Sequence, residues 1–176
     1  YNDGTGATNF THGVQGTGAN PAQLAIQGVD PADFGNVTQG DTQTLILTVE
    51  NTGDVNATGI AETGLAGDYA FTAPGTFPGG AGTCTTTITN GSTCTIEVQV
   101  TPSSTGIIPG TITFDYNNGA NNTSYSHGLT TNGLAPAVLA ITPGPGTYDF
   151  GTRPVASTNS NTFTITNSGG SAATLI

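Results

Sequence analysis

Two cysteines, Cys84 and Cys94, have the clearest chemistry in this 176-residue chain. The segment between them is rich in threonine and contains no histidine. A disulfide fits this setting better than a metal site, which would need further His or Cys ligands close by. Closing so short a loop stabilises a fold by roughly 2–3 kcal/mol in the chain-entropy description. Because disulfides persist in oxidising compartments, the pair also predicts an exported protein.

The Asn90-Gly91 turn signal lies inside the loop that this disulfide would close. Strict pairing about a two-residue hairpin turn would place Thr87, and not Cys84, opposite Cys94. The chain near Cys84 must therefore curl, or the turn must be longer than two residues.

Carboxylates and histidines offer only weak metal sites. Asp30 and Asp33 could supply oxygen ligands to Ca²⁺, but their spacing does not match an EF-hand loop. We expect a structural role for both and no cofactor, with calcium as the alternative. His12 and His127 occupy equivalent positions of the internal repeat described below, so each domain would have one histidine. We expect each to make a single hydrogen bond at a turn or a strand end.

Three aromatic side chains are the best candidates for recognising a glycan or a protein surface. Sugar sites usually stack on exposed aromatic rings, and the chain has no tryptophan. Tyr69, Phe71 and Phe77 lie in the region between Gly67 and Gly80, which we expect to be a loop. Exposure of two of them side by side would favour binding, whereas burial would favour a structural shaft.

Glycosylation is a further alternative, because N-linked sugars attach at Asn-x-Ser/Thr sequences. Many such sequences arise by chance in a chain rich in Thr and Asn, and the position within Asn90-Gly91 is better explained by a turn. The six asparagines that begin these sequences are Asn9, Asn36, Asn56, Asn90, Asn121 and Asn122.

Residue types suited to catalysis occur without the patterns that catalysis needs. The sequence contains no Gly-x-Ser-x-Gly elbow and no Cys–His pairing that would activate a nucleophile. Glu50, Glu97 and Asp115 fall at outward positions of predicted strands, where we expect them to be simply solvated. The sequence therefore predicts a protein that is not an enzyme.

The charge balance excludes several partners. Eleven acidic residues face a single basic one, Arg153, and the formal net charge is −10. Nucleic acids and anionic membrane surfaces both require Lys and Arg, so neither is an expected partner. No segment approaches the ~20 apolar residues of a membrane-spanning helix, and the sequence starts at Tyr1 without Met or a signal peptide. We expect the mature part of a soluble protein located outside the cell or on its surface.

Strands, and no helices, are expected to position these residues. The 27 glycines and 10 prolines punctuate turns, and only 7% of residues are charged. Alternation of apolar and polar residues is typical of antiparallel sheets packed face to face, which predicts a sandwich of about seven strands. The apolar positions of three such stretches are Leu45, Leu47 and Val49, then Ile96, Val98 and Val100, then Ile112, Phe114 and Tyr116.

Internal similarity organises the whole chain. Tyr1-Asn2-Asp3-Gly4 returns as Tyr116-Asn117-Asn118-Gly119, a shift of 115. The shift becomes 116 where Asp33-Phe34-Gly35 returns as Asp149-Phe150-Gly151, and the similarity continues to the end of the sequence. It predicts the last strand or strands of one domain in residues 1–20, a complete domain in 21–135 and the opening strands of another in 136–176. Since Ile176 corresponds to Ile60, inside a domain, we expect the parent protein to be longer on both sides.

Several of these motifs carry a family resemblance. The opening Leu24-Ala25-Ile26, the entry Asp33-Phe34-Gly35 and the strand ending Asn51-Thr52-Gly53 resemble the ASPM-SPD-2-Hydin type of immunoglobulin-like domain. The segments Asn90–Val98 and Thr101–Gly106 are similar to its bacterial branch, the choice-of-anchor D domains. The resemblance implies secreted or surface-attached proteins with such domains in series, and no shared catalytic residues.

Two functions follow as hypotheses. The first is a structural array that forms an extracellular fibre, filament or surface stalk, in which neighbouring copies of the same domain are the partners. The second is an adhesin-type module that recognises a glycan or a cell-surface protein through its loops. The short, proline-containing junction at Gly133–Pro136 favours the first, because it should hold adjacent domains semi-rigidly.

Overall fold

A computed structural model describes residues 4–7 and 9–174, and within them the chain forms strands and no helix. Tyr1, Asn2 and Asp3 of the first repeated motif, and Ile176, lie outside these described residues. The strands are β1 (Leu24–Ile26), β2 (Ala32–Thr38), β3 (Gln43–Asn51), β4 (Ala57–Glu62), β5 (Tyr69–Phe71), β6 (Thr87–Ile88), β7 (Thr93–Val100), β8 (Gly106–Asn117), β9 (Asn122–Leu134), β10 (Leu139–Thr142) and β11 (Thr164–Asn167).

The first nine strands form two sheets that enclose one apolar core. One sheet has the order β1-β3-β7-β5, and the other has the order β2-β9-β8-β4-β6. The predicted alternation is confirmed in β7 and β8, because Ile96, Val98, Ile112 and Phe114 are each at most 1% exposed. Side chains between them point outward, as the two-residue period of a strand requires. The all-β sandwich is therefore confirmed, with two very short strands, β5 and β6, added to the expected seven.

The segment that contains the disulfide crosses between the sheets. β6 pairs with β4 in the five-stranded sheet, whereas β7 pairs with β3 in the other. A disulfide joins Cys84 to Cys94 with their Cα atoms 4.9 Å apart. The backbone amide of Cys84 donates to the carbonyl of Thr95 at 3.0 Å, which holds this part of the chain beside β7. The chain therefore curls near Cys84, and β6 and β7 do not form a hairpin.

One strand pair in the sandwich is parallel. β2, near the entry to the sandwich, pairs with β9, its last strand, with Ala32 opposite Leu129 and Thr38 opposite Leu134. The pairing is interrupted after Asp33, whose carboxylate accepts a hydrogen bond from the Gly35 amide at 2.8 Å. Gly35 has a φ of 75°, a conformation that a glycine adopts without strain.

β10 and β11 form a separate antiparallel pair. Leu139 lies opposite Asn167, and Ile141 lies opposite Ile165. Every side chain of the two strands is exposed. Before the sandwich, residues 9–19 contain no strand and are exposed throughout.

Candidate functional site

Asn51, at the end of β3, ties together the entry to the sandwich and the crossing segment. Its side chain is fully buried. The Oδ1 atom accepts hydrogen bonds from the backbone amides of Gln23 and Gly53, both at 3.1 Å. The Nδ2 group donates to the carbonyls of Val55 at 2.8 Å and Ile88 at 3.1 Å. One amide group therefore satisfies four backbone groups from three segments.

The same arrangement occurs around Asn167 at the end of β11. Its Oδ1 atom accepts from the amides of Val138 and Gly169, both at 3.0 Å, and its Nδ2 group donates to the Ser171 carbonyl at 2.7 Å. A side chain at Gly169 would collide with the Pro136 carbonyl, as one at Gly53 would with the Pro21 carbonyl. The motif was visible in the sequence as two Asn-x-Gly triplets, but sequence reasoning did not assign them this role.

A hydroxyl relay connects the sandwich to the C-terminal strand pair. Ser171 donates to the Ala135 carbonyl at 2.9 Å. Since its single proton is used there, Ser171 accepts from the hydroxyl of Thr38, 2.8 Å away. Gly170 packs against the same connection, because a Cβ atom added to it would lie 3.1 Å from the Ala135 nitrogen. The short junction is therefore held by side chains from both sides.

Glu97, predicted to be simply solvated, instead organises the loop that follows β5. Its carboxylate accepts from the Thr72 hydroxyl at 2.6 Å and from the Ala81 amide at 3.0 Å. These hydrogen bonds stabilise the ionised form and hold the pKa of Glu97 below its usual 4.5. The prediction was wrong because this loop folds back over the outer face of β7. The other two carboxylates also have partners: Gln27 donates to Glu50 at 2.9 Å and Thr63 donates to Asp115 at 3.1 Å.

This carboxylate makes the stability of the sandwich depend on pH. A lowered pKa contributes stability that is complete above pH 4.5 and is lost as the pH falls through the pKa of the folded state. The measurement is the urea concentration at the unfolding midpoint, determined at several pH values between about pH 6 and 3. We expect this midpoint to fall less steeply with decreasing pH in Glu97→Gln than in the parent protein. Asp115→Asn is the matched control for the removal of one carboxylate from an outer strand face. Equal acid limbs for Glu97→Gln and the parent would contradict this role.

The three candidate aromatic residues are part of the core. Tyr69 and Phe71 lie in β5 and not in a loop, and they are 3% and 6% exposed. Phe77 packs edge-to-face between Phe71 and Phe114, with ring centroids 5.8 and 5.9 Å apart. Burial, together with the Asp68 and Asp33 carboxylates, raises the pKa of Tyr69 to about 12. The condition that would favour binding, two of these rings exposed side by side, is therefore not met, and their burial favours a structural shaft.

The candidate metal ligands make backbone hydrogen bonds instead. Asp30 accepts from the Gly128 amide at 2.8 Å, and Asp33 accepts from Gly35. His127 is 3% exposed and lies within β9, not at a strand end, with its Nδ1 atom 3.1 Å from the Tyr125 hydroxyl. His12 is exposed. Among the described residues, no group of three or more His, Cys, Asp or Glu side chains could hold a metal ion.

A polar groove of about 640 Å³ opens along the outer edge of β1. Two tyrosines of the opposite sheet line it and close this edge, which would otherwise be free to pair with another strand. The Tyr116 hydroxyl accepts from the Leu24 amide at 3.3 Å, and the Tyr125 hydroxyl accepts from the Ile26 amide at 2.9 Å.

All six asparagines of the Asn-x-Ser/Thr sequences are exposed. Asn56 and Asn90 are in contact, because the Asn90 amide donates to the Asn56 side chain at 3.1 Å. Glycosylation at these positions stays a prediction. No helix among the described residues is long and apolar enough to cross a membrane.

Two facing sheets with this strand order, a parallel pairing of β2 with the last strand β9, and a buried aromatic core define an immunoglobulin-like domain. The chain belongs to the HYDIN/CFA65/VesB-like Ig-like domain family, whose model matches residues 22–128. This confirms the resemblance to ASPM-SPD-2-Hydin domains. Domains of this fold are generally structural or binding modules and not enzymes. The assignment to the choice-of-anchor D branch stays a prediction.

Solved structures of similar shape share little sequence with this chain. The Vibrio cholerae VesB protease is 14% identical with a TM-score of 0.49, over 64% of this chain and 32% of its own. The PapD-like domain 7 of human CEP192 is 12% identical with a TM-score of 0.46, over 74% and 99%. A protein of unknown function from Porphyromonas gingivalis is 15% identical with a TM-score of 0.47, over 66% and 49%. No curated protein matches the sequence.

Proposed function

We propose that this chain is a non-catalytic, load-bearing unit of an extracellular fibre, filament or surface stalk. The observation that carries the proposal is the parallel pairing of β2 with β9. Tension applied at the two ends of the sandwich reaches β2 from its first residue, through β1 and its three-residue pairing with β3, and reaches β9 from its last residue. In a parallel pair these forces act along the strands in opposite directions. The hydrogen bonds between the strands are therefore loaded together and do not open one at a time.

The connections at both ends of the sandwich support the same role. At the entry, Asn51 fixes the backbone of Gln23. At the exit, the Thr38–Ser171–Ala135 relay keeps the following strands close to the end of β9. A junction held in this way transmits force with little slack, which a flexible linker would not do.

Location outside the cell is supported by the disulfide, since such bonds persist in oxidising compartments. The charge of −10 supports solubility and disfavours nucleic acids and anionic membranes. The partners in this proposal are neighbouring copies of the same domain. The adhesin alternative loses its main support, because Tyr69, Phe71 and Phe77 are not displayed on the surface.

Electron microscopy of the native protein in its source material tests the proposal. We expect a filament or stalk with one bead for every ~115 residues, the period of the sequence similarity. Antibodies raised against the sandwich should decorate these beads at regular intervals. Compact, isolated particles, or labelling confined to the tip of a fibre, would contradict a shaft and favour the adhesin.

A further inference from the structure

The C-terminal strand pair and the segment between its strands expose an apolar face. Tyr148 packs edge-to-face on Phe150 and on Phe163, with ring centroids 4.9 and 5.3 Å apart. A soluble protein rarely leaves so many large apolar side chains together in water. Six side chains that are each 38–59% exposed make up this face, which we call the open face: Leu139, Ile141, Tyr148, Phe150, Phe163 and Ile165.

Each position of the open face has an equivalent inside the complete sandwich. β10 and β11 pair in the register of β1 and β3, with Leu139 opposite Asn167 as Leu24 is opposite Asn51. Three of the four hydrogen bonds of Asn51 also have counterparts at Asn167. The equivalent positions in the sandwich are between 1% and 8% exposed: Leu24, Ile26, Ala32, Phe34, Leu47 and Val49.

The sandwich shows what covers these positions when they are buried. Tyr69 of β5 packs edge-to-face on Phe34 with ring centroids 5.5 Å apart. Apolar side chains of β4, β6, β7, β8 and β9, together with Phe71 of β5, fill most of the remaining core. The hydroxyls of Tyr116 and Tyr125 accept hydrogen bonds from the amides of β1. Strands that bury the open face in the same way therefore need alternating apolar residues, one aromatic ring that packs on Phe150, and two hydroxyls that accept hydrogen bonds from the edge of β10.

We propose that the open face is half of a second sandwich core and that it binds a set of β-strands with the sequence type of residues 61–135. This inference rests on the proposed function as an array. The load-bearing role of the complete sandwich does not depend on it, because the β2–β9 pairing that carries that role lies within the sandwich.

A single strand from another copy of the chain would bury the open face less completely than a full set of strands. Residues 9–19 align with β9 in the sequence similarity, and Phe10 and Val14 are 83% and 93% exposed. However, Phe10 stands where Tyr125 stands in β9, so it has no hydroxyl to accept from the edge of β10. One strand would also leave the positions of β5, β7 and β8 empty above Phe150. The observations therefore favour a full set of strands.

The test extends the full chain after Ile176 with a second copy of residues 61–135, which continues the similarity in register. Hydrogen exchange is then measured in β10 and β11. We expect their amides to exchange at least about tenfold more slowly than in the unextended chain, because the added strands would bury them. The matched control carries Ile112→Asp and Phe114→Asp in the added copy alone, and it should show no slowing.

Equal exchange in the unextended and extended chains would overturn the proposal. A second outcome would overturn the proposal in favour of strand exchange between copies of the chain. In that outcome, amides of residues 9–19 and of β10 in the unextended chain both exchange slowly, and they do so only at high protein concentration. A second measurement does not require the added copy to fold. In the unextended chain, Phe150→Ser should reduce binding of an apolar dye without changing the unfolding midpoint of the sandwich. A shift of that midpoint, or unchanged dye binding, would also count against an open face.

Discussion

Asn51→Ala is expected to lower the free energy of unfolding by about 3–5 kcal/mol. The substitution leaves several backbone groups in and around the core without hydrogen-bond partners, and each such group costs about 1–3 kcal/mol. The two amides and two carbonyls that Asn51 serves belong to Gln23, Gly53, Val55 and Ile88. The side chain is fully buried, so water cannot replace it without opening the structure. Urea denaturation followed by circular dichroism measures the loss.

Asn167→Ala provides the matched control within the same chain. This asparagine makes the equivalent contacts with Val138, Gly169 and Ser171, but it is exposed, so water can satisfy the same groups. We expect the unfolding free energy of the sandwich to change by less than about 0.5 kcal/mol. Similar losses for the two variants would show that burial does not set the energy of this motif, contrary to our explanation.

Removing the disulfide is expected to cost about 2–3 kcal/mol. The bond closes a loop between residues ten apart in the sequence, within the segment that crosses from one sheet to the other. Breaking it frees the unfolded chain and also loosens the crossing segment. Alanine is the replacement of choice at Cys84, which is 4% exposed, because serine would bury a hydroxyl there.

The measurement compares the double variant Cys84→Ala, Cys94→Ala with the parent protein, each with and without a reducing agent. The parent should lose stability on reduction, and the variant should not respond to the agent. A variant as stable as the oxidised parent would mean that the crossing segment is held by its other contacts, such as the hydrogen bond from the Cys84 amide to Thr95.

The sandwich was predictable from the sequence where burial follows a two-residue period. Ile96, Val98, Ile112 and Phe114 alternate with polar residues, and that pattern has one geometric explanation. The same logic failed for Tyr69 and the other aromatic residues near it. β5 has three residues and lies among glycines and prolines, so its local signal is that of a loop. Its pairing with β7, nearly thirty residues later, is what buries the rings.

The contacts of polar residues were likewise not predictable from local sequence patterns. Alternation correctly placed Glu97 on the outer face of β7, but it could not show that a loop covers that face and binds its carboxylate. The Asn-x-Gly triplets at Asn51 and Asn167 were recognised as similar sequences. The four hydrogen bonds of Asn51 depend on where Gln23 and Ile88 lie in space, which no local pattern contains.

Pulling single molecules apart tests the load-bearing role most directly. In one geometry, force is applied through handles at residues 20 and 135, so that β2 and β9 are sheared along their parallel pairing. In the control geometry, handles at residues 106 and 134 pull on the open end of the antiparallel β8–β9 pair, whose hydrogen bonds then break one after another. We predict a severalfold higher unfolding force in the first geometry. Equal forces, or a lower force in the first, would contradict the proposal that this domain is built to carry load.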